Sequence, residues 1–99
     1  MLSDQAVEIA ETFRLLGDPT RLRILLICLN EAHAVGDIAD SLGISASLVS
    51  HHLRLLRAAR LVRAERHGRE VHYIAADEHV RCILADMIDH VREPEMETV

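Results

Sequence analysis

The stretch VGDIADSLGISASLVSHHLRLLRAARLV, Val35 to Val62, decides the fold. It opens as a short helix that stops at Gly43, the residue best suited to the left-handed turn beyond a helix end. Ile44 can plug a core, and Ser45 is a good N-cap for the helix that follows. In that second helix Leu48, Val49, Leu53 and Leu56 recur at helical spacing and are expected to face inward. Ser47, Ser50, His51 and Arg54 are then left facing outward. Small Ala39 and Gly43 let the two helices cross closely, and Val49 locks the second onto the first. This is the pattern of a helix-turn-helix, whose second helix enters the major groove of DNA.

Downstream, from Leu61 to Ala75, the period shifts to that of strands. LVRAER and REVHYIA flank His67-Gly68, the expected hairpin turn, with Arg66, His67 and Arg69 at its tip. A helix-turn-helix followed by a basic hairpin is a winged helix, in which the wing lays cations over phosphates or in the minor groove. Upstream, residues 4–16 read as a helix with Val7, Ala10, Phe13 and a leucine pair on one side, ending at Gly17. Asp18 and Pro19 then supply an N-cap and a first helical residue for a helix running to about Glu31. Cys28 lies in its apolar face, as a core thiol would. The expected fold is mostly α with a β-hairpin wing.

Ninety-nine residues fit one domain, 1–99, with a modest core that a partner subunit would help to stabilise. Phe13 and Tyr73 are the only aromatics, which suits helices packed through Leu, Ile, Val and Ala. No apolar run nears the ~18 residues of a membrane span, and no signal-peptide pattern opens the chain. Two cysteines make no disulfide framework, so a cytoplasmic protein is expected. The net charge of −5 looks wrong for a nucleic-acid binder until its distribution is read. Residues 1–43 carry a balance of −4 and residues 73–99 one of −5. Residues 44–72 hold six arginines against Glu65 and Glu70, a balance of +4, and the chain has no lysine. Arg is the better residue for bidentate phosphate contacts.

The last amphipathic segment is DEHVRCILADMIDHVRE, Asp77 to Glu93. At ~100° per residue, Val80, Ile83, Leu84, Met87, Ile88 and Val91 share a face roughly 140° wide. His79 and His90 lie along its edge, ~16 Å apart on the helix axis, too far to share one ion within a chain. An antiparallel partner helix changes this. The register that sets His79 beside His90 of a second copy also brings Asp77 opposite the second copy's Glu93 to within one residue. Two-fold symmetry then makes two equivalent sites, each with Asp77 and His79 from one chain and His90 and Glu93 from the other. Two imidazoles and two carboxylates suit a four-coordinate Zn²⁺, filled by protein ligands and without the open position that hydrolysis needs. Nothing else in the chain offers an activating base beside an open metal position, so no enzyme and no small-molecule substrate are expected.

FRLLGDPTRLRILLICL (13–29), VGDIADSLGIS (35–45), SLVSHHLRLLRAARLV (47–62) and RHGREVHYIA (66–75), in this order, resemble the ArsR/SmtB family of metal-sensing repressors over about residues 8–93. The resemblance implies a homodimeric winged helix whose first and last helices form the dimer interface. It also implies binding to an inverted-repeat operator in double-stranded DNA, with release when metal binds. Asp77, His79, His90 and Glu93 are similar to the last-helix site of the family's zinc-sensing branch. The family's other common site needs a cysteine where this chain has Ala34, and Arg60 stands where many relatives have Gly. In the expected mechanism Ser47, Ser50 and His51 read base edges and Ala46 touches a thymine methyl. Arg54, Arg66 and Arg69 anchor phosphates, and Zn²⁺, with Co²⁺ as a possible surrogate, favours a dimer poorly matched to the operator. The alternative is a repressor of the same fold switched by oxidation or persulfidation of Cys28 and Cys82.

Overall fold

Asp18 shows how the sequence sets its own helix boundaries. It stands in an extended conformation between α1 (Leu2–Leu16) and α2 (Pro19–Ile27). Its Oδ1 accepts the backbone N–H groups of Thr20 at 2.9 Å and Arg21 at 3.3 Å. These bonds, the one from Arg21 foremost, hold the Asp18 carboxyl below its ordinary range. Pro19 loses nothing there by lacking an N–H. The computed structural model describes residues 2–95, so residues 1 and 96–99 of the expected 1–99 domain lie outside the described residues.

Helix α2 ends at Ile27, four residues short of the expected Glu31. The chain tightens there, with the Leu29 N–H bonded to the Leu26 carbonyl, and the Cys28 carbonyl accepts the N–H of Ala75 at 2.8 Å. The freed residues run into a two-residue strand, β1 (His33–Ala34), too short to register as a periodic pattern. It is a third strand that the sequence did not announce. Helix α3 (Val35–Leu42) follows and ends, as expected, at Gly43 with φ of 66°. Ser45 caps α4 (Ala46–Ala58), its Oγ accepting the Leu48 N–H at 3.1 Å.

Arg60 takes the left-handed conformation just beyond α4, with φ of 60°. The Arg60 N–H reaches the Arg57 carbonyl at 3.0 Å and the Leu61 N–H reaches the Leu56 carbonyl at 2.9 Å. Those two bonds close a Schellman turn. The turn persists without glycine because the next residue, Leu61, is buried in the core and anchors it.

Strands β2 (Val62–His67) and β3 (Glu70–Ala75) pair antiparallel from Val62 opposite Ala75 to His67 opposite Glu70. His67 therefore stays in the ladder, and the loop is Gly68-Arg69, one residue later than the sequence suggested. Gly68, φ 66°, takes the position where a hairpin of this length asks for glycine. β1 pairs with the free side of β3, giving the order β1-β3-β2. Helix α5 (Glu78–Arg92) completes the chain, capped by the Asp77 Oδ1 on the Val80 N–H at 3.0 Å.

The core joins α2, α3, α4 and the base of the wing through Ile24, Leu25, Ile38, Val49, Leu53 and Leu56. Helix α1 buries no residue, and Leu84 alone is buried in α5. The Cα radius of gyration, 15.2 Å, exceeds the ~13 Å of a compact chain of about 100 residues. A subunit with both terminal helices uncovered has that proportion.

Arg60→Gly is expected to raise the unfolding free energy by roughly 0.5–1 kcal/mol, because relief of the left-handed strain outweighs the added freedom of the unfolded chain. Its ion pair with Glu8, 3.5 Å with both side chains exposed, subtracts little. The urea midpoint should rise at unchanged slope; an unchanged or lower midpoint would show that the turn holds no strain.

Candidate nucleic-acid interface and metal site

Along α4, Ala46, Ser47, His51 and Arg54 are exposed and Ser50 is half-buried, while Val49, Leu53 and Leu56 are in the core. The outward set read from the sequence therefore lies on one open face. One neighbour differs from expectation. Leu48, expected inside, is 40% exposed, because it falls on the flank of the helix rather than over α3. His52 is buried, with Nδ1 accepting a hydrogen bond from Arg21 Nε at 3.2 Å.

Alternation along the wing puts Val62, Ala64 and Arg66 on the same sheet face as Val71, Tyr73 and Ala75. That face turns toward α4, and between them lies an open groove of about 520 Å³ lined by Ser50, Leu53, Arg54, Arg57, Ala58 and Tyr73. Arg66 extends this side toward the exposed tip, where Arg69 sits in the loop. The opposite face carries Arg63, Glu65, His67, Glu70 and His72, with the His67 and His72 rings stacked at 4.2 Å.

Charge sorts along the same division. Of the six arginines in the basic block, Arg60 pairs with Glu8 and Arg63 with Glu65 at 2.7 Å. Glu65 also takes a hydrogen bond from His67, the largest of the influences that lower its carboxyl below the ordinary range. Among the described residues, Arg54, Arg57, Arg66 and Arg69 make no ion pair. Three of them were expected as phosphate anchors. Arg57 and Tyr73 were not, although Arg57 continues the stripe of Ser50 and Arg54 one turn further. Tyr73 could be found only once β3 was placed beside α4. Two guanidinium groups and two hydroxyls in one groove make a seat for a backbone phosphate.

In α5 the apolar face divides in two. Val80, Leu84 and Ile88 pack on the chain's own core, while Ile83, Met87 and Val91 stand 55%, 51% and 77% exposed. On α1, Leu2, Val7, Ile9 and Phe13 are likewise uncovered. By helical angle, His79, His90 and Glu93 flank the uncovered stripe of α5 on the side away from the chain's own core. All four expected metal ligands are exposed, and Asp77 uses Oδ1 as the helix cap. Among the described residues no three His, Cys, Asp or Glu side chains of one chain come together as a metal site. The donor set, two imidazoles and two carboxylates, suits Zn²⁺, but one subunit holds its members at opposite ends of a helix.

The thiols are placed poorly for a switch. Burial pushes Cys28 up to about 12, and a hydrogen bond to Glu78 raises Cys82 above its ordinary value. Thiol exchange needs thiolate, and both shifts work against it.

Comparison with known proteins gives a consistent picture. Residues 18–64 match the family model described as bacterial regulatory protein, arsR family. A transcriptional repressor SmtB homolog of Synechocystis is 43% identical over 93 residues, covering 94% of this chain and 70% of that one. The homodimeric winged helix-turn-helix DNA-binding domain of Mb0332 from Mycobacterium bovis superposes with a TM-score of 0.80 at 25% identity, covering 98% of this chain and 93% of that one. The cadmium metal-sensor CMTR from Mycobacterium tuberculosis gives 0.71 at 38% identity, covering 91% and 94%.

Arg57→Gln should weaken binding to any duplex alike and reduce the slope of log affinity against log salt by about 0.9, the share of one phosphate contact. A slope equal to that of the unaltered chain would remove Arg57 from the interface.

Proposed function

The chain belongs to the arsR family of bacterial regulatory proteins, homodimeric DNA-binding transcriptional regulators, and on that premise we propose that it is a cytoplasmic repressor released from its operator by Zn²⁺. The observation that carries the zinc reading is the placement of His79, His90 and Glu93 along the rim of an apolar stripe that the chain leaves uncovered. A second copy covering that stripe head to tail brings its own donors to the same rim. Each of two symmetric sites then takes Asp77 and His79 from one subunit and His90 and Glu93 from the other. Bound Zn²⁺ supplies a tetrahedral cross-link without redox chemistry, and Co²⁺ can stand in for it. Soft ions such as Cd²⁺ favour several thiolates. Cys28 is buried with a raised pKa, which leaves each subunit one exposed thiol, Cys82.

On the DNA side, Ser47, Ser50 and His51 present donors and acceptors to base edges, and Ala46 offers a methyl to thymine. Arg54, Arg66 and Arg69, with Arg57 and Tyr73 in the groove, hold the backbone. Two recognition helices reach successive major grooves of an inverted repeat only at one spacing, which the α1 and α5 interface sets. Ligands drawn from both subunits fix the two α5 helices in one relative geometry. If that geometry suits the operator less well, a coupling of about 1–3 kcal/mol is enough to empty it.

Operator affinity measured with and without Zn²⁺ tests this directly. The metal-free chain should bind tightly and lose roughly 5- to 150-fold when zinc is added. His79→Ala and His90→Ala should bind DNA as well as the unaltered chain, yet need about 100-fold more zinc or more for release. Release of either variant at the same zinc concentration would refute the site, and an unaltered chain indifferent to zinc would refute the inducer.

A further inference from the structure

We propose that Arg21 and His52 are positioning residues for operator recognition, whose hydrogen bond ties the setting of α4 to that of the dimer-forming helix α1. This rests on the operator-reading function proposed above. His52 is the buried polar side chain among the described residues, 6% exposed, on a helix whose other inward residues are aliphatic. An aliphatic residue would fill the place without needing a partner, whereas a buried imidazole holds its position only where its nitrogen is satisfied.

The partner is Arg21, whose planar guanidinium is gripped from three elements. Nε donates to His52 Nδ1 at 3.2 Å, and Nη1 donates to the Leu15 carbonyl in the last turn of α1 at 2.9 Å. Nη2 lies 4.0 Å from Asp18 Oδ2 at the start of α2. A fork of fixed shape that satisfies all three at once allows one arrangement of the end of α1, the start of α2 and the middle of α4. Helix α1 rests on the chain's own core through Leu15 and Leu16 of its last turn, beside the Arg21 junction, while the rest of the helix is left for a dimer interface to set. His52 is next to His51 and two residues from Ser50, so a turn of α4 that relaxes the bond also swings the groups meant for base edges.

The bond requires a neutral Nδ1. Burial, and then the Arg21 charge, lower the His52 pKa from its ordinary 6.5, so the ring is neutral at pH 7. The charges acting on it come from Arg21 of α2, from Asp18 at the cap of that helix and from His51 on its own helix. Around α4, Asp37 and Asp40 of α3 are exposed, as are Arg63 and Arg66 of β2, and Glu65 is engaged by Arg63 and His67. Because the folded value is the lower one, this contribution is complete above pH 6.5. It is lost as pH falls through the folded value.

The test uses the metal-free full chain and two duplexes, one selected from random sequence by the unaltered chain and one scrambled. His52→Leu should lower affinity for the selected duplex about tenfold, with little change on the scrambled duplex and no change in salt slope. His52→Asn, which keeps an acceptor, should restore most of the loss. Adding Arg21→Leu to His52→Leu should cost nothing beyond Arg21→Leu alone. As pH falls below 6.5, the unaltered chain should lose affinity relative to His52→Asn. Undiminished selection by His52→Leu, equal failure of Leu and Asn, or additive losses would overturn the proposal. Should His52→Leu not fold, parallel pH profiles for the unaltered chain and His52→Asn would overturn it instead. A chain that selects no duplex would instead strike the operator-reading function, and this inference would fall with it.

Discussion

A single copy of this chain cannot cover its own terminal helices. Leu2, Val7, Ile9 and Phe13 on α1, with Ile83, Met87 and Val91 on α5, form apolar surface that the core cannot reach. Apolar area left in water forgoes about 25 cal/mol per Å², so a second copy that covers both faces stabilises the fold as well as the assembly. The remaining features depend on that interface. In the function proposed here it would fix the distance between two recognition helices, give α1 a position to hand on through Arg21, and supply the second half of a metal site on α5.

Local chemistry was legible in the sequence wherever one residue decides one bond. Asp18 and Ser45 cap the helices assigned to them, and Gly43 takes the left-handed turn that marked the helix-turn-helix. Departures arise where a distant partner decides. Helix α2 stops early because Ala75, far along the chain, claims the Cys28 carbonyl. β1 exists because β3 has a free edge, and its two residues carry no period of their own. The hairpin loop moves by one residue because the register with Glu70 keeps His67 in the ladder.

The candidate site divides in the same way. The outward face of α4 and its arginines followed from helical spacing and a basic block inside an acidic chain. Tyr73 entered only when tertiary packing put β3 beside α4. His52 was not singled out, although helical spacing sets it between Leu48 and Leu56; its partner Arg21 lies 31 residues away, where period says nothing. The proposed metal ligands are the opposite case. Their arrangement is visible in the sequence because a symmetric antiparallel pairing leaves a register in one helix. One subunit would hold only halves of the two proposed sites.

The central claim, that each site draws ligands from two subunits, is tested most directly by pairing two defective chains. Dimers of one His79→Ala subunit and one His90→Ala subunit, co-expressed with different tags and purified through both, are titrated with Zn²⁺ against a chelator. Sites shared across the dyad leave one site with both histidines and one with neither, so the mixed dimer should bind a single zinc ion with the affinity of the unaltered protein. A mixed dimer that binds zinc no better than either defective parent would contradict it.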